Sequence, residues 1–348
     1  MNSTGKYANF VIEFLKAHLT RKDIPVIATL CVTQRCNLNC AYCYEENYKK
    51  NHREFSTVEM LSLIDELCEM GTKLISLNGG EALLRDDIGI VVDKIRKKNI
   101  LCQLTTNGLL VKKKIDVIKK IDALCLSIDG ARECNDLNRG RGTYDKIIEG
   151  IECLKANNIT FHTNTVLTKS NKKAVEEVME LACKYCFKTQ FSTLRAEDSP
   201  DKTLGLNDEE LKEIIKKILD YKKSGKPIFS SYETYKNVLN WPFSYDRLTI
   251  FDEIPEEYKP IKCYNKRFSC HIESDGSVYP CVVLVNKFKS LNVHEVGLRK
   301  AWGNLSNNKC NACYNICCND LNLTFGLKPR PIWNAVKIVM GRIATRIK

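Results

Sequence analysis

The sequence lacks any long hydrophobic run. No stretch approaches the ~18 consecutive apolar residues that a membrane-spanning helix needs, so we predict no transmembrane segment. Glu13 and Lys16 interrupt the apolar residues at the amino terminus, where a secretory signal would need an unbroken apolar core. Internal repeats and low-complexity segments are also missing. We therefore expect a globular protein that stays in the cytoplasm.

Cysteine, in contrast, is abundant, with 18 residues in a chain of 348. Disulfides are rare in a reducing cytoplasm, so many cysteines without an export signal indicate metal binding. The length suggests about two domains. Apolar residues make up 44% of the chain and charged residues 28%, which is typical of a soluble fold.

The net charge is +12, from 54 basic and 42 acidic residues. Such a balance fits an anionic substrate, nucleic acid or anionic lipid. Many of the lysines, including Lys112–Lys114, fall in helical patterns and favour an ordinary solvated surface. The charge alone therefore assigns no partner.

The most informative motif is CNLNCAYC, in which Cys36, Cys40 and Cys43 have the spacing C-x3-C-x2-C. Three thiolates can hold three corners of a [4Fe–4S] cubane and leave the fourth iron open for chemistry. Zinc sites more often show C-x2-C pairs with a second pair beyond. Tyr42 and Tyr44 flank the last cysteine, where an aromatic ring could stack on a flat ligand.

The stretch TQRCNLNCAYCY resembles the signature of the radical S-adenosylmethionine (SAM) enzymes. The resemblance implies that SAM binds the open iron through its amino and carboxylate groups. One electron from the cluster then splits the sulfonium and yields a 5′-deoxyadenosyl radical. A one-electron donor such as flavodoxin or ferredoxin is the implied partner.

Short apolar runs alternate with amphipathic segments over the first two thirds of the chain. Six runs read as buried strands: Ile27–Thr33, Leu74–Gly80, Ile100–Gly108, Ala123–Gly130, Thr160–Leu167 and a short one near Gln190. Helices are predicted between them, at Asp87–Lys98, Lys112–Ile121, Tyr144–Asn157 and Lys172–Cys183, and after capping boxes at Ser56 and Asn207.

Strands that alternate with helices predict an α/β fold with a parallel sheet and right-handed crossovers. Six units are too few for a closed eight-fold barrel. The count and the resemblance together predict a partial (β/α)6 TIM-like barrel with a small C-terminal cysteine-rich auxiliary-cluster domain. We place the core domain at 22–235, the auxiliary domain at 236–328 and a tail helix at 331–348.

Polar residues follow the carboxyl ends of the predicted strands, where such sheets bind ligands. Two glycines let backbone approach a ligand closely, and a carboxylate beside them can accept from an ammonium group. The resemblance implies that the Gly-Gly-Glu motif meets the SAM amino group, although Ala82 stands where the family more often has proline. The predicted cofactor-binding residues are Tyr42, Gly79, Gly80, Glu81, Asn107, Ser127 and Arg139.

A second group of seven cysteines lies after residue 262: Cys263, Cys270, Cys281, Cys310, Cys313, Cys317 and Cys318. Asp275-Gly276 predicts a hairpin turn between the second and third of them. The spacing resembles the SPASM and twitch domains that follow many radical SAM barrels. It ends as C-x2-C-x3-C-C instead of the complete SPASM pattern.

We predict one auxiliary [4Fe–4S] cluster held by Cys263, Cys281, Cys310 and Cys313. Cys270 and either Cys317 or Cys318 are alternative ligands, or supply a second cluster. A zinc ribbon is the other interpretation of this region. The remaining cysteines, such as Cys125, lie in apolar patterns and read as core residues.

The tail IWNAVKIVMGRIATRIK places Trp333, Val336, Met340, Ile343 and Ile347 on one helical face, with basic residues around it. Such a helix lies on an anionic membrane, docks a partner, or packs on its own domain. Only 35 residues precede Cys36, so we expect no fused leader-binding domain of the kind that several peptide-modifying members carry.

We therefore expect a radical SAM oxidoreductase or modifying enzyme whose substrate is a peptide or protein. A small molecule or glycan is the alternative substrate. A zinc-stabilised nucleic-acid-binding protein is the alternative from another class, but it leaves the cysteine triplet and the Gly-Gly-Glu motif unexplained, so we expect no nucleic acid partner. The sequence identifies no acid–base residue.

Overall fold

A nine-stranded sheet forms the centre of the fold in the computed structural model, which describes residues 3–43, 53–195 and 197–347. The strand order is β10-β9-β8-β1-β2-β3-β4-β5-β6, and β7 and β11 pair separately. The strands are β1 Ile27–Cys31, β2 Leu74–Asn78, β3 Leu101–Thr106, β4 Ala123–Ser127, β5 Phe161–Leu167, β6 Lys188–Thr193, β7 Thr249–Ile250, β8 Ser269–Ile272, β9 Ser277–Tyr279, β10 Leu291–Asn292 and β11 Ala312–Cys313.

The six predicted strands are confirmed, and each pairs in parallel with the next, from β1 to β6. The hairpin around Asp275-Gly276 is also present, because β8 and β9 pair antiparallel. In addition, β8 pairs in parallel with β1, so that Thr29 lies opposite His271. Strands of the cysteine-rich region thus extend the main sheet, and the division into domains at residue 235 stays a prediction.

Helices connect the strands in chain order. They are α1 Ser3–Leu19, α2 Thr57–Glu69, α3 Ile88–Lys97, α4 Ile115–Ile118, α5 Arg132–Arg139, α6 Thr143–Ala156, α7 Ala174–Tyr185, α8 Asp208–Lys223, α9 Tyr232–Leu239, α10 Asn265–Phe268, α11 Val293–Val296, α12 Leu298–Gly303, α13 Ile316–Phe325 and α14 Pro329–Ile347. Both predicted capping boxes are formed. The helix expected over Lys112–Ile121 is reduced to α4, because the chain before it forms turns instead.

Alternation along the strands separates two environments. Leu124 and Leu126 of β4 are buried in the large apolar core. On the opposite face, Asn164 of β5 meets Gln190 and Ser192 of β6 in a hydrogen-bonded group. The barrel interior is therefore polar, whereas its outer face packs on the helices.

The first and last helices lie at the amino-terminal ends of the strands. Lys6 of α1 forms a buried ion pair with Asp122 (3.0 Å), just before β4. Arg342 of α14 lies 3.3 Å from Nδ1 of His162, near the start of β5. Within the described ranges, none of the helices combines the length and the apolarity needed to cross a membrane.

Candidate functional site

The predicted site residues meet at one edge of the sheet. The loop of residues 34–43, here called the cysteine loop, follows β1, and the Gly-Gly-Glu motif follows β2. Asn107 follows β3, Ser127 ends β4, and Arg139 ends α5. Because β1 to β4 are parallel neighbours, their carboxyl ends bring these segments together.

Gly79 and Gly80 hold the start of the cysteine loop. The N–H of Gly80 donates to the carbonyl of Thr33 (2.8 Å), and the N–H of Glu81 donates to the carbonyl of Arg35 (2.9 Å). A Cβ on Gly79 would lie 2.3 Å from the Thr33 oxygen, and one on Gly80 would lie 2.5 Å from the Arg35 oxygen. These glycines therefore admit the backbone at the start of the cysteine loop, and their approach to a ligand stays a prediction.

Asn107 joins the end of β3 to the cysteine loop. Its amide Nδ2 donates to Oδ1 of Asn37 (2.8 Å) and lies 3.8 Å from Sγ of Cys36. Burial raises the pKa of Cys36, and the hydrogen bond from Asn107 partly opposes that effect. Asn107 is thus placed to stabilise a thiolate at Cys36.

Cys40 and Cys43 lie further along the same loop. The N–H of Cys43 donates to the carbonyl of Cys40 (3.0 Å), and the N–H of Ala41 donates to the carbonyl of Asn138 (2.9 Å). Burial raises the pKa of Cys40, and the nearby positive charge of Arg139 lowers it. The loop is therefore fixed from both β2 and α5, with the Cys40 thiol close to a cation.

Among the described residues, no three His, Cys, Asp or Glu side chains converge as ligands of a single metal ion. A zinc ion would need its ligands at about 2.0–2.3 Å from one centre. A [4Fe–4S] cubane binds each thiolate at a different iron, so its ligands stand further apart. The cysteine loop fits the cubane in ligand type and number, and the role of its cysteines stays a prediction.

Glu81 links the ends of β2 and β3. Its buried carboxylate accepts hydrogen bonds from the N–H of Asn107 (2.7 Å), the N–H of Leu83 (3.1 Å) and the hydroxyl of Thr106 (3.0 Å). Burial raises the pKa of Glu81, and these hydrogen bonds oppose the rise. The carboxylate therefore anchors the ends of β2 and β3 beside the cysteine loop, and its contact with a SAM ammonium group stays a prediction.

Arg139, Asp129 and Tyr42 form a buried group beside the cysteine loop. Nε of Arg139 lies 2.8 Å from Oδ2 of Asp129, and the Tyr42 hydroxyl lies 2.6 Å from both side chains. Burial alone would lower the pKa of Arg139, but the Asp129 carboxylate raises it above its ordinary value. Asp129 was not among the predicted site residues, so sequence reasoning missed this pairing. Tyr44 lies outside the described residues.

Two further polar residues belong to this edge. The side chain of Ser127 is half-buried, and Ser127 pairs in register with Asn164 of β5. Asn138 is buried, and its Nδ2 has no acceptor within the described part of the chain. A buried amide N–H without a protein partner fits a polar ligand atom. Nothing in the sequence marks Asn138 as a site residue except its position next to Arg139.

A second site lies between β7, β11 and the hairpin. Its pocket is lined by Cys263, Cys281, Cys310 and Cys313, the four ligands that the spacing predicted, and we call it the auxiliary pocket. Asn265, Asn308 and Asn319 also line it. Burial raises the pKa of Cys310 to about 12, with the charges of Cys281 and Cys263 adding to the rise. A cationic iron–sulfur core would stabilise the thiolate forms of these cysteines, whose negative charges otherwise repel one another.

The alternative cysteine ligands separate in the structure. Cys318 donates a hydrogen bond to Cys281, which lowers the pKa of Cys281. Cys317 instead accepts a hydrogen bond from Nε2 of Gln190 (2.8 Å), a residue of the polar barrel interior. Cys270 is buried in the apolar core behind β8. The structure therefore places neither Cys270 nor Cys317 in the auxiliary pocket. The Cys270 side chain packs in the apolar core, and the Cys317 side chain lies beside Gln190 in the barrel interior.

The profile of the radical SAM superfamily matches residues 30–182 of this chain. GTP 3′,8-cyclase of Clostridium perfringens (strain 13 / Type A) is 31% identical over 211 residues, which are 57% of this chain and 64% of the cyclase. The uncharacterized protein MJ0907 of Methanocaldococcus jannaschii is 32% identical over 205 residues, which are 55% of this chain and 71% of that protein. The match thus spans less than two thirds of the cyclase.

Two solved structures share the fold. SuiB of Streptococcus suis, bound to the precursor peptide SuiA, aligns with a TM-score of 0.62 and 17% identity over 83% of this chain and 67% of SuiB. The protein anSMEcpe, with bound AdoMet and the Cp18Cys peptide, aligns with a TM-score of 0.60 and 20% identity over 90% of this chain and 99% of its own.

The predicted partial barrel is thus confirmed by the sheet and by these neighbours. Family membership favours an iron–sulfur enzyme over the zinc-stabilised nucleic-acid-binding alternative, and the absence of a nucleic acid partner stays a prediction. The chain belongs to the radical SAM superfamily, whose members are enzymes that use SAM and a [4Fe–4S] cluster.

Proposed function

We propose that this protein reductively cleaves SAM and uses the resulting radical to remove a hydrogen atom from a peptide or protein. The observation that carries the proposal is the cysteine loop, fixed at the carboxyl end of β1 by hydrogen bonds from β2 and α5. Bound there, the cluster and SAM supply a 5′-deoxyadenosyl radical. The electron comes from a donor such as flavodoxin or ferredoxin.

Cys36, Cys40 and Cys43 would hold the cluster and leave one iron open for SAM. Glu81 would accept from the SAM ammonium group, because its buried negative charge lies beside the cysteine loop. Arg139 would attract the SAM carboxylate, although Asp129 already neutralises part of its charge. Ser127 and the free amide of Asn138 are placed for polar atoms of the nucleoside.

The auxiliary pocket would hold one further [4Fe–4S] cluster. Four cysteines from three separate segments line a single pocket, and four thiolates complete a cubane. A closed cluster of this kind relays an electron or anchors the substrate pocket. The nearby thiol of Cys318 is the fifth candidate, through its hydrogen bond to Cys281.

A peptide substrate is favoured over a small molecule by the extent of the structural likeness. The two peptide-bound structures align over 83% and 90% of this chain, including its C-terminal part. The match to GTP 3′,8-cyclase, whose name denotes a nucleotide substrate, covers 57%. Asparagine, glutamine and serine in the barrel interior offer the hydrogen bonds that peptide groups need.

The first test is SAM cleavage by anaerobically reconstituted protein with a strong one-electron reductant. We expect 5′-deoxyadenosine and methionine as products, and their loss when Cys36, Cys40 and Cys43 are all replaced by Ala. The matched control is Cys183→Ala, an exposed cysteine on α7 that should leave turnover unchanged. Undiminished cleavage by the triple variant would refute the assignment.

The second test separates the substrate classes. A low-mass cell extract, either untreated or digested with a broad-specificity protease that is then removed, is added to the same reaction. A peptide substrate predicts faster 5′-deoxyadenosine formation with the untreated extract and loss of that acceleration after digestion. Acceleration that survives digestion would favour the small-molecule alternative.

A further inference from the structure

The amino-terminal helix exposes a stripe of apolar side chains. Ile12 is 62% exposed and Leu19 81%, and Val11 and Leu15 are also exposed. Spacings of three, four and seven residues place such side chains on one face of a helix. The opposite face is buried, with Phe14 and Ala17 in the smaller core cluster. The helix α1 therefore has a second apolar face that nothing in the described structure covers.

The last helix shows the same feature. Trp333 is 59% exposed and Met340 62%, and Val336 lies between them on the same face. The other side of α14 is fixed to the barrel, where Nδ2 of Asn334 donates to the carbonyl of Phe229 (2.9 Å). The exposed stripe thus faces away from the barrel. Trp333, Val336 and Met340 of the predicted tail stripe are exposed. The side chains of Ile343 and Ile347 are not among those that the structure describes.

The two helices are neighbours at the same end of the molecule. They contact each other, and Arg342 of α14 reaches the hydroxyl of Tyr7 on α1 (3.5 Å). Both lie at the amino-terminal ends of the strands, through Lys6 with Asp122 and Arg342 with His162. We call their exposed sides together the basal face. Unpaired apolar side chains on two adjacent helices are uncommon on a monomer and indicate an interaction site.

Positive charge accompanies this apolar surface. Residues 321–348 contain six basic residues and no acidic one. Burial lowers the pKa of Lys188, at the start of β6, and the charges of Arg342 and Lys337 lower it further. Burial likewise lowers the pKa of Lys222 to about 8. Lys188 and Lys222 lie on the barrel side of α14. Lys337 is exposed, and its ammonium lies 5.5 Å from the centre of the Trp333 ring, so a cation stands beside the exposed apolar stripe.

We propose that the basal face binds the surface of an anionic lipid bilayer. Helices that carry Trp and aliphatic side chains beside Lys and Arg suit the boundary between headgroups and acyl chains. Each Lys or Arg near an anionic leaflet adds to the attraction. A second copy of the chain fits less well, because two basal faces in contact would bring their positive charges together.

The orientation leaves the candidate active site free. The cysteine loop lies at the carboxyl ends of the strands, and the basal face lies at the opposite ends. A membrane-bound molecule would therefore present its substrate opening to the solution.

The test is co-sedimentation of the full chain with vesicles of phosphatidylcholine and phosphatidylglycerol in equal parts. At low salt we expect most of the protein in the pellet, with release at high salt because exposed charges are then screened. Vesicles of phosphatidylcholine alone should bind little of the protein. Protein that stays in the supernatant with the anionic vesicles at low salt would overturn the proposal.

Two double variants localise the contact. Trp333→Ser with Met340→Ser should weaken vesicle binding by about tenfold or more, because two apolar side chains no longer enter the bilayer. Val58→Ser with Ile90→Ser is the matched control, since these residues are also more than half exposed but lie on α2 and α3. Both variants should keep their iron and their SAM cleavage. An equal loss of vesicle binding in the two double variants would overturn the proposal.

Tryptophan fluorescence gives a second readout. Addition of anionic vesicles should shift the emission to shorter wavelength, and Trp333→Phe should remove that shift while the protein still sediments. Trp241 is buried and reports no insertion. A salt-sensitive dimer that Trp333→Ser with Met340→Ser dissociates, together with an unshifted emission, would assign the basal face to a second copy instead.

Discussion

Nε of Arg139 lies 2.8 Å from Oδ2 of Asp129, and both side chains are buried beside the cysteine loop. This ion pair joins the end of α5 to the residue after β4. The Tyr42 hydroxyl forms hydrogen bonds with both partners of the pair, so these three residues connect three segments of the candidate SAM pocket. Its position makes stability and cofactor binding depend on the same contact.

Replacement of Asp129 by Asn should therefore lower the free energy of unfolding. A buried guanidinium that loses its partner destabilises a protein by about 3–5 kcal/mol. Asp145→Asn is the control, because it breaks the exposed pair of Asp145 with Arg132, and exposed pairs contribute about 0–1 kcal/mol. The urea midpoints of the two variants, prepared identically, measure the difference. Similar midpoints would mean that the Asp129 pair adds little to stability.

Glu81→Gln should weaken SAM binding by about tenfold or more, because each hydrogen bond to a charged group contributes about 1.5–3 kcal/mol. Thr106→Val is the control, since it removes one donor to the carboxylate but keeps the charge. Equilibrium dialysis with reconstituted protein gives the dissociation constants. If both variants lose the same affinity, Glu81 acts only as an anchor between β2 and β3.

Gly80→Ala should displace the cysteine loop, because the new Cβ would lie 2.5 Å from the backbone oxygen of Arg35. We expect about four irons per chain to be lost on reconstitution, with iron at the auxiliary pocket retained. Gly89→Ala is the matched control: its Cβ would meet only Val117 at 3.7 Å, within helix α3. Full iron content in Gly80→Ala would contradict this account of the loop.

Cysteine substitutions should divide into two groups. Cys281→Ala and Cys313→Ala should each lower the iron content by about four per chain, because they line the auxiliary pocket. Cys270→Ala and Cys317→Ala should keep their iron, because these thiols face the core and the barrel interior. Iron and sulfide analysis distinguishes the groups. Zinc in the pocket of anaerobically purified protein would favour the ribbon interpretation.

His162 should make the fold sensitive to acid. Burial, with the nearby charge of Arg342, lowers the pKa of His162 from 6.5 to about 3, so the folded state keeps the ring neutral. Its contribution to stability is complete above pH 6.5 and is lost as the pH falls from 6.5 towards 3, because the unfolded state binds the proton first. Between pH 7 and pH 5 the loss should be about 2 kcal/mol.

The corresponding measurement is urea unfolding of wild type and His162→Gln across that pH range. The variant should lose less stability on acidification, because Gln does not titrate. A parallel decline in both proteins would mean that other groups dominate the acid response.

The sequence by itself determined the features that depend on neighbouring residues. The cysteine spacing, the six apolar runs and the capping boxes at Ser56 and Asn207 are local patterns, and the structure reproduces the strands and the caps. The four cysteines of the auxiliary pocket were also predicted, from their spacing and the family resemblance. In contrast, the pairing of Asp129 with Arg139 joins two elements through folding, and no spacing rule indicates it.

Only the tertiary structure separated Cys317 from Cys318. Adjacent residues on a helix point about 100° apart, so the packing of α13 directs one thiol to Gln190 and the other to Cys281. The same holds for the tail, whose periodicity predicted an apolar stripe without saying whether it is covered. That question depends on how α14 docks on the barrel, and the docking leaves Trp333 exposed. Local periodicity fixes which side chains share a face, whereas long-range packing decides what that face meets.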